Sequence, residues 1–175
     1  TTVTQLGSTV DPDCQEIRVD GVVLPRPKQA YYAVHKPRGV VTTHRDPAGR
    51  PRVIDLVPTT PERLFPVGRL DLHSDGLILL TNDGDFAEKL QRREDIPRAY
   101  QMKLKGHPDE EMLERLRKGA RLENRSVKPH SVRMVEEYSN KSRIEVVLMG
   151  SGAVDLKKFA ESRGFLIERL VRTAI

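Results

Sequence analysis

Short apolar runs bounded by turn residues recur along this chain. Tyr31–His35, Val40–Thr43, Leu64–Val67, Leu77–Leu80, Tyr100–Lys105, Val132–Glu136 and Ile144–Met149 are rich in β-branched or aromatic residues and read as strands. The run Leu77–Leu80 is unbroken by any polar residue and predicts a buried strand. Three stretches follow the helical period instead. Over Asp83–Arg92 the apolar positions are Phe86, Ala87 and Leu90, with Asn82 or Asp83 as the cap. Asp109–Lys118 begins with Pro108 and three acids and ends at Gly119. Val154–Arg163 turns Leu156, Phe159 and Ala160 inward and stops at Gly164, after which Phe165–Val171 returns as a strand. Strands interspersed irregularly with helices do not form a regular parallel series. The expected class is α+β: a largely antiparallel sheet with helices packed on it.

Residues 1–30 read differently. Glu16-Ile17-Arg18-Val19 alternates, Asp20-Gly21 signals a hairpin, and Pro25-Arg26-Pro27 reads as a linker. The remainder, 31–175, is expected to form one domain.

Composition narrows the function classes. The chain has 175 residues, 37% hydrophobic, and no apolar run near the ~20 residues of a membrane helix. Cys14 is the single cysteine, which excludes an intrachain disulfide and a cysteine-based metal cage. A reducing cytoplasm, no membrane partner and a monomer are the expectations. The net charge is +5. Within 36–52, Lys36, Arg38, Arg45, Arg50 and Arg52 face one acid, Asp46. On charge alone a solvated loop is the better reading; beside a carboxylate site, the loop suggests a polyanionic substrate.

That carboxylate site is the stretch 66–86. Gly68-Arg69-Leu70-Asp71 lies between two predicted strands, and Leu77–Leu80 stops at Thr81-Asn82-Asp83-Gly84, a turn with helix-starting chemistry. A polar loop pinned between rigid elements is a common place for catalysis. Arg69 suits a phosphate or the gap left by a flipped nucleotide; an ion pair with Asp75 or Asp83 is its structural alternative. Asp71, Asp75, Asp83 and Asp85 lack the spacing of a calcium loop, and the five histidines show no i, i+4 pair, so no metal is expected.

The segment resembles the active-site motif of the S4-associated ribosomal RNA pseudouridine synthases, which carry Gly-Arg-Leu-Asp, then Ser/Thr-Glu-Gly, a leucine run and Thr-Asn-Asp-Gly. Asp75 stands where the family has Glu. Val34-His35-Lys36-Pro37-Arg38-Gly39-Val40-Val41-Thr42-Thr43 is similar to the family's Lys-Pro-x-Gly strand-turn, with Lys36 and Arg38 expected free at its edge. Arg98-Ala99-Tyr100 is similar to its basic-x-Tyr element. Residues 7–24 resemble the closing part of an S4 RNA-binding domain, and family members usually continue past Ile175 with a short basic tail. The resemblance implies the pseudouridine synthase fold, a long bent sheet with a central cleft. It implies Asp71 as the nucleophile, Tyr100 against the uracil, and Lys157 as the basic partner of Asp71. Before Lys157 the family's Gly-Arg-Asn-Arg-Gln is replaced by Ser151-Gly152-Ala153-Val154-Asp155, a departure that removes two arginines. Arg69, Lys36, Arg38, Arg45, Arg50 and Arg52 are the expected RNA contacts. The expected partner is ribosomal RNA or a ribosome assembly intermediate, and such an isomerisation requires no cofactor. The alternatives are a non-catalytic RNA-binding relative of the same fold, and a glycoside hydrolase using Asp71 and Asp75.

Overall fold

A computed structural model describes the chain apart from residues 1, 2, 6, 12, 13, 26, 27, 59–62, 123, 124 and 151–155. The Ser151–Asp155 departure, most of the proposed linker and the start of the predicted third helix therefore lie outside the described residues. Near the N-terminus β1 (Arg18–Val19) and β2 (Val22–Val23) form the predicted hairpin. Its turn places Asp20 at φ 48° and Gly21 at φ 80°, the two left-handed positions that an Asp-Gly turn supplies.

The main sheet contains β3 (Tyr31–Lys36), β4 (Phe65–Val67), β5 (Asp75–Thr81), β6 (Pro97–Lys105), β9 (Ser131–Glu137), β10 (Lys141–Met149) and β11 (Ile167–Ala174). Its order is β3-β5-β11-β6-β10-β9, with β4 also on β5. Among the described strand pairs of this sheet, β5–β11 alone is parallel. A small hairpin, β7 (Ala120–Leu122) with β8 (Arg125–Val127), was not expected from the sequence. The helices are α1 (Gly84–Arg92), α2 (Glu110–Arg117) and α3 (Leu156–Glu161), and a short 3-10 helix spans Val53–Leu56. Among the described residues no helix is long and apolar enough to cross a membrane.

The caps match the sequence chemistry. Asp83 Oδ1 accepts from Phe86 N at 2.9 Å and Asp109 Oδ1 from Met112 N at 2.7 Å. The turn before α1 does more than cap it. Asn82 accepts from Ala30 N and donates to Lys28 O, while Thr81 Oγ1 donates to Ala30 O, so the chain entering β3 is tied to the end of β5.

The expected strand Val40–Thr43 reduces to one bridge, Val41 with Arg52. The Thr42 hydroxyl bonds to Leu70 in the loop after β4, Val40 O accepts from Lys36, and the Thr43 hydroxyl bonds to Arg45.

Two cores lie along the sheet. One packs β6, β9, β10 and β11 against α2 and α3, with Met102, Ile144, Val146, Leu116 and Phe159 fully buried. The other packs Val40, Val53, Leu64 and Leu70 on Ile78 and Leu80 of β5. Burying each such side chain contributes about 1.5–3 kcal/mol. Tyr100 packs against both cores. The sheet divides where they meet. β3 occupies one edge of β5 along its length, while the other edge is shared by β11, at Asp75–Gly76, and β4, at Leu79–Thr81. Between those partners the Leu77 carbonyl accepts from the Arg172 side chain, Nε at 2.7 Å, in place of a strand.

Candidate active site

Asp71 lies in the connection from β4 to β5, beside the division in the sheet. Four successive carbonyls of that connection have donors. Arg69 O accepts from Arg172 Nη1 at 3.4 Å and Leu70 O from Thr42 Oγ1 at 2.7 Å. Asp71 O accepts from Ser74 N at 3.1 Å and Leu72 O from Gly39 N at 2.9 Å. Leu70 N also donates to Thr42 Oγ1 at 3.2 Å. The Leu70 side chain is buried in the second core. The backbone is thus held on all sides while the side chains of Arg69 and Asp71 are exposed.

Beneath the loop, one row of cross-strand neighbours runs over the sheet. Lys36 of β3 opposes Gly76 of β5, Gly76 opposes Arg172 of β11, and Arg172 opposes Tyr100 of β6. Gly76 adopts φ 113°, and a Cβ there would lie 2.2 Å from Arg172 O. Only glycine allows β5 and β11 this close approach. Asp75, one residue earlier, is buried and accepts from Arg169 Nε at 2.8 Å and Nη2 at 2.5 Å, while its Oδ1 has no partner among the described residues.

Lys36 is 0% exposed. The expectation that it lies free at the turn's edge is corrected by the alternation of β3, which turns Tyr32, Val34 and Lys36 to the same inner face. Its ammonium donates to Pro37 O at 3.1 Å and Val40 O at 2.9 Å. Burial lowers its pKa, and the charges of Asp75 and Asp71 oppose that shift. A cation is thus stored within electrostatic reach of the Asp75 and Asp71 carboxylates.

Around Tyr100 the environment is cationic. Arg98 and Arg172 are buried, and Arg98 Nη1 and Arg172 Nη2 have no hydrogen-bond partner among the described residues. Burial lowers the Arg98 pKa; the neighbouring Tyr100 phenol favours the cation and Arg172 opposes it. The Arg98 Nη2 group donates to Leu90 O at 3.3 Å, near the C-terminus of α1, where a cation is favoured. The sequence reading gave neither arginine a role. Arg98 shares parity with Tyr100, Met102 and Leu104 along β6, which was a usable signal; nothing local marked Arg172.

The expected ion pair between Asp71 and Lys157 is not formed. Lys157 is 55% exposed and its Nζ lies 3.9 Å from Glu161 Oε1. The helical period explains this, because Leu156, Phe159 and Ala160 take the buried face of α3 and leave Lys157 outside. Among the described residues no ion pair or hydrogen bond involves the Asp71 carboxylate.

The basic loop is also more structural than its charge suggests. Arg50 donates to both oxygens of Asp46, at 3.1 and 2.7 Å. Arg52 donates to both oxygens of Asp55, at 3.1 and 2.7 Å, and to His44 O at 2.9 Å. These bonds hold Asp46 and Asp55 below the ordinary carboxylate range. Arg50 and Arg52 are therefore tied into the loop's own structure. Arg45 is exposed; Arg38 is exposed and donates to Glu168 O at 2.6 Å. Asp75 and Asp83 are engaged by Arg169 and by Tyr31 with Phe86 N, so neither takes Arg69.

A family model described as RNA pseudouridylate synthase matches residues 30–159. Ribosomal large subunit pseudouridine synthase B of Bacillus subtilis is 35% identical over 173 residues, 97% of this chain and 70% of the relative. An uncharacterized RNA pseudouridine synthase of Aquifex aeolicus is 34% identical over 175 residues, 99% of this chain and 70% of the relative. The crystal structure of a pseudouridylate synthase shares the fold, with a TM-score of 0.69 at 22% identity over 95% of this chain and 71% of that one. Residues 30–159 include the strand-turn, the Asp71 loop and Tyr100, and with relatives matched over nearly its whole length the chain belongs to the RNA pseudouridylate synthase family.

Proposed function

We propose that this chain isomerises uridine to pseudouridine in ribosomal RNA, with Asp71 as the nucleophile. The relative from Bacillus subtilis is named for the large ribosomal subunit, which makes ribosomal RNA the substrate class to test first. The supporting observation is an exposed carboxylate on an immobilised backbone, above the row Lys36–Gly76–Arg172–Tyr100, at the point where the sheet divides.

The reaction breaks the N1–C1′ bond, turns the detached uracil and forms a C5–C1′ bond. C5 loses a proton and N1 gains one, so no electrons are exchanged and no cofactor is needed for the balance. The Asp71 carboxylate attacks the sugar carbon as the base departs, and it leaves again when C5 of the turned uracil bonds to C1′. The half-buried Tyr100 offers a flat ring to the detached uracil and a hydroxyl for a hydrogen bond. The buried Lys36 ammonium lies within electrostatic reach of Asp71. Lys157, half exposed and beside Glu161, is the weakest member of the expected catalytic set. Arg69, Arg38 and Arg45 are the exposed cations for phosphates of the bound RNA.

The test is pseudouridine formation on ribosomal RNA by the wild-type chain and Asp71→Asn. The variant should keep the unfolding midpoint of the wild type and lose turnover by roughly three orders of magnitude or more. Turnover near wild type in Asp71→Asn would end the nucleophile assignment. RNA binding with no product from either protein would favour the binding-only relative.

A further inference from the structure

The carboxylate of Asp71 has no hydrogen-bond donor among the described residues, so nothing attached to the side chain itself holds its direction. Its orientation is set by the peptide units on either side. The residue before it, Leu70, is held at both its carbonyl and its N–H by one atom: Thr42 Oγ1 donates to Leu70 O at 2.7 Å and accepts from Leu70 N at 3.2 Å.

Thr42 is itself fixed. Val40 and Val41 before it are buried, Val41 N donates to Pro51 O at 2.9 Å, and Val53 N donates to Val41 O at 2.9 Å. Val53 is wholly buried. The hydroxyl therefore projects from a rigid segment, and Gly39 N of the same segment bonds Leu72 O, the carbonyl just after Asp71. One stretch of chain, residues 39–42, holds both neighbours of Asp71.

We propose that Thr42 is a positioning residue for the reaction, setting the attack direction of Asp71 through its paired bonds to Leu70. The proposal rests on Asp71 being the nucleophile. A rigid carboxylate is worth most at the attack step, where a displacement near 1 Å costs about a hundredfold. It is worth little in RNA binding, which draws on phosphate contacts elsewhere.

The experiment measures kcat and KM on a ribosomal RNA substrate for wild type, Thr42→Val, Thr42→Ser and Asp71→Asn, with thermal unfolding of each. Thr42→Val keeps the shape and removes both bonds; Thr42→Ser keeps the oxygen. In Thr42→Val, kcat should fall roughly 10–100-fold with KM within about twofold of wild type. Thr42→Ser should recover kcat to within about threefold. The proposal is overturned if Thr42→Val turns over like wild type, if its loss lies in KM, if Thr42→Ser is equally impaired, or if Thr42→Val does not fold. The last outcome would make the hydroxyl a bond of the fold alone. An active Asp71→Asn would instead remove the nucleophile reading, whereas an inactive Asp71→Asn beside a normal Thr42→Val removes only the role of Thr42.

Discussion

Residues 69–72 and 44–55 are both polar, arginine-bearing segments attached to the same stretch, Val40–Thr42, yet they are built in opposite ways. In 69–72 the backbone carries the bonding, through Thr42, Gly39, Ser74 and Arg172, and the Arg69 and Asp71 side chains are left exposed. In 44–55 arginine side chains carry much of the bonding alongside the backbone: Arg50 closes on Asp46, and Arg52 on Asp55 and His44 O. A loop held by its backbone has side chains to offer a substrate. A loop held by its arginines has already committed much of their donor capacity. Local charge density does not distinguish the two, and only one of them looks like a site.

The comparison breaks most severely at Gly76. Gly76→Ala would place a Cβ against the Arg172 backbone and force a left-handed φ on alanine. The expected loss of stability is about 2–4 kcal/mol, read by denaturant unfolding, with turnover lost alongside it. A variant as stable as wild type would mean that β5 and β11 can separate there at little cost, and that the Asp71 loop does not depend on their contact.

A smaller effect separates the two arginines that the sequence treats alike. Arg52→Ala should lower the midpoint of thermal unfolding, because it opens the bonds to Asp55 and His44 O. Arg69→Ala should leave that midpoint unchanged and raise KM for RNA. The Arg52 contribution carries a pH signature. The Asp55 pKa is depressed in the folded chain by the Arg52 side chain and backbone, so its stabilisation is present above the ordinary carboxylate value and lost as pH falls through the depressed one. The difference in midpoint between wild type and Asp55→Asn should therefore shrink as pH is lowered from 6 toward 2. A constant difference would show that the pairing does not contribute through charge.

The smallest effect concerns Arg45, exposed and in no ion pair among the described residues. Arg45→Ala should flatten the slope of log K against log salt by roughly 0.7–0.9 if it neutralises one phosphate, with no change in stability. An unchanged slope would make Arg45 a solvated residue, and phosphate binding would then rest on Arg69 and Arg38.

The sequence by itself determined the α+β class, the helices, the Asp20-Gly21 hairpin and most strands, because these follow from local period and turn chemistry; the structure chose Asp83 over Asn82 as a cap and made Asp109 one. It marked the loop around Asp71 through a resemblance carried by some twenty residues. Parity along β3 and β6 already implied that Lys36 and Arg98 face inward. Only the tertiary structure decided which charges are spent and which are offered. Asp75 is taken by Arg169, 94 residues away, and the Leu77 carbonyl by Arg172, 95 residues away. Thr42 meets Leu70 across 28 residues. Lys157, expected beside Asp71, is turned outward by the apolar face of its own helix. Backbone conformation is largely a property of neighbours in sequence. The partner of a charge or a hydroxyl is a property of neighbours in space, and those exist only once the two cores have closed around Tyr100.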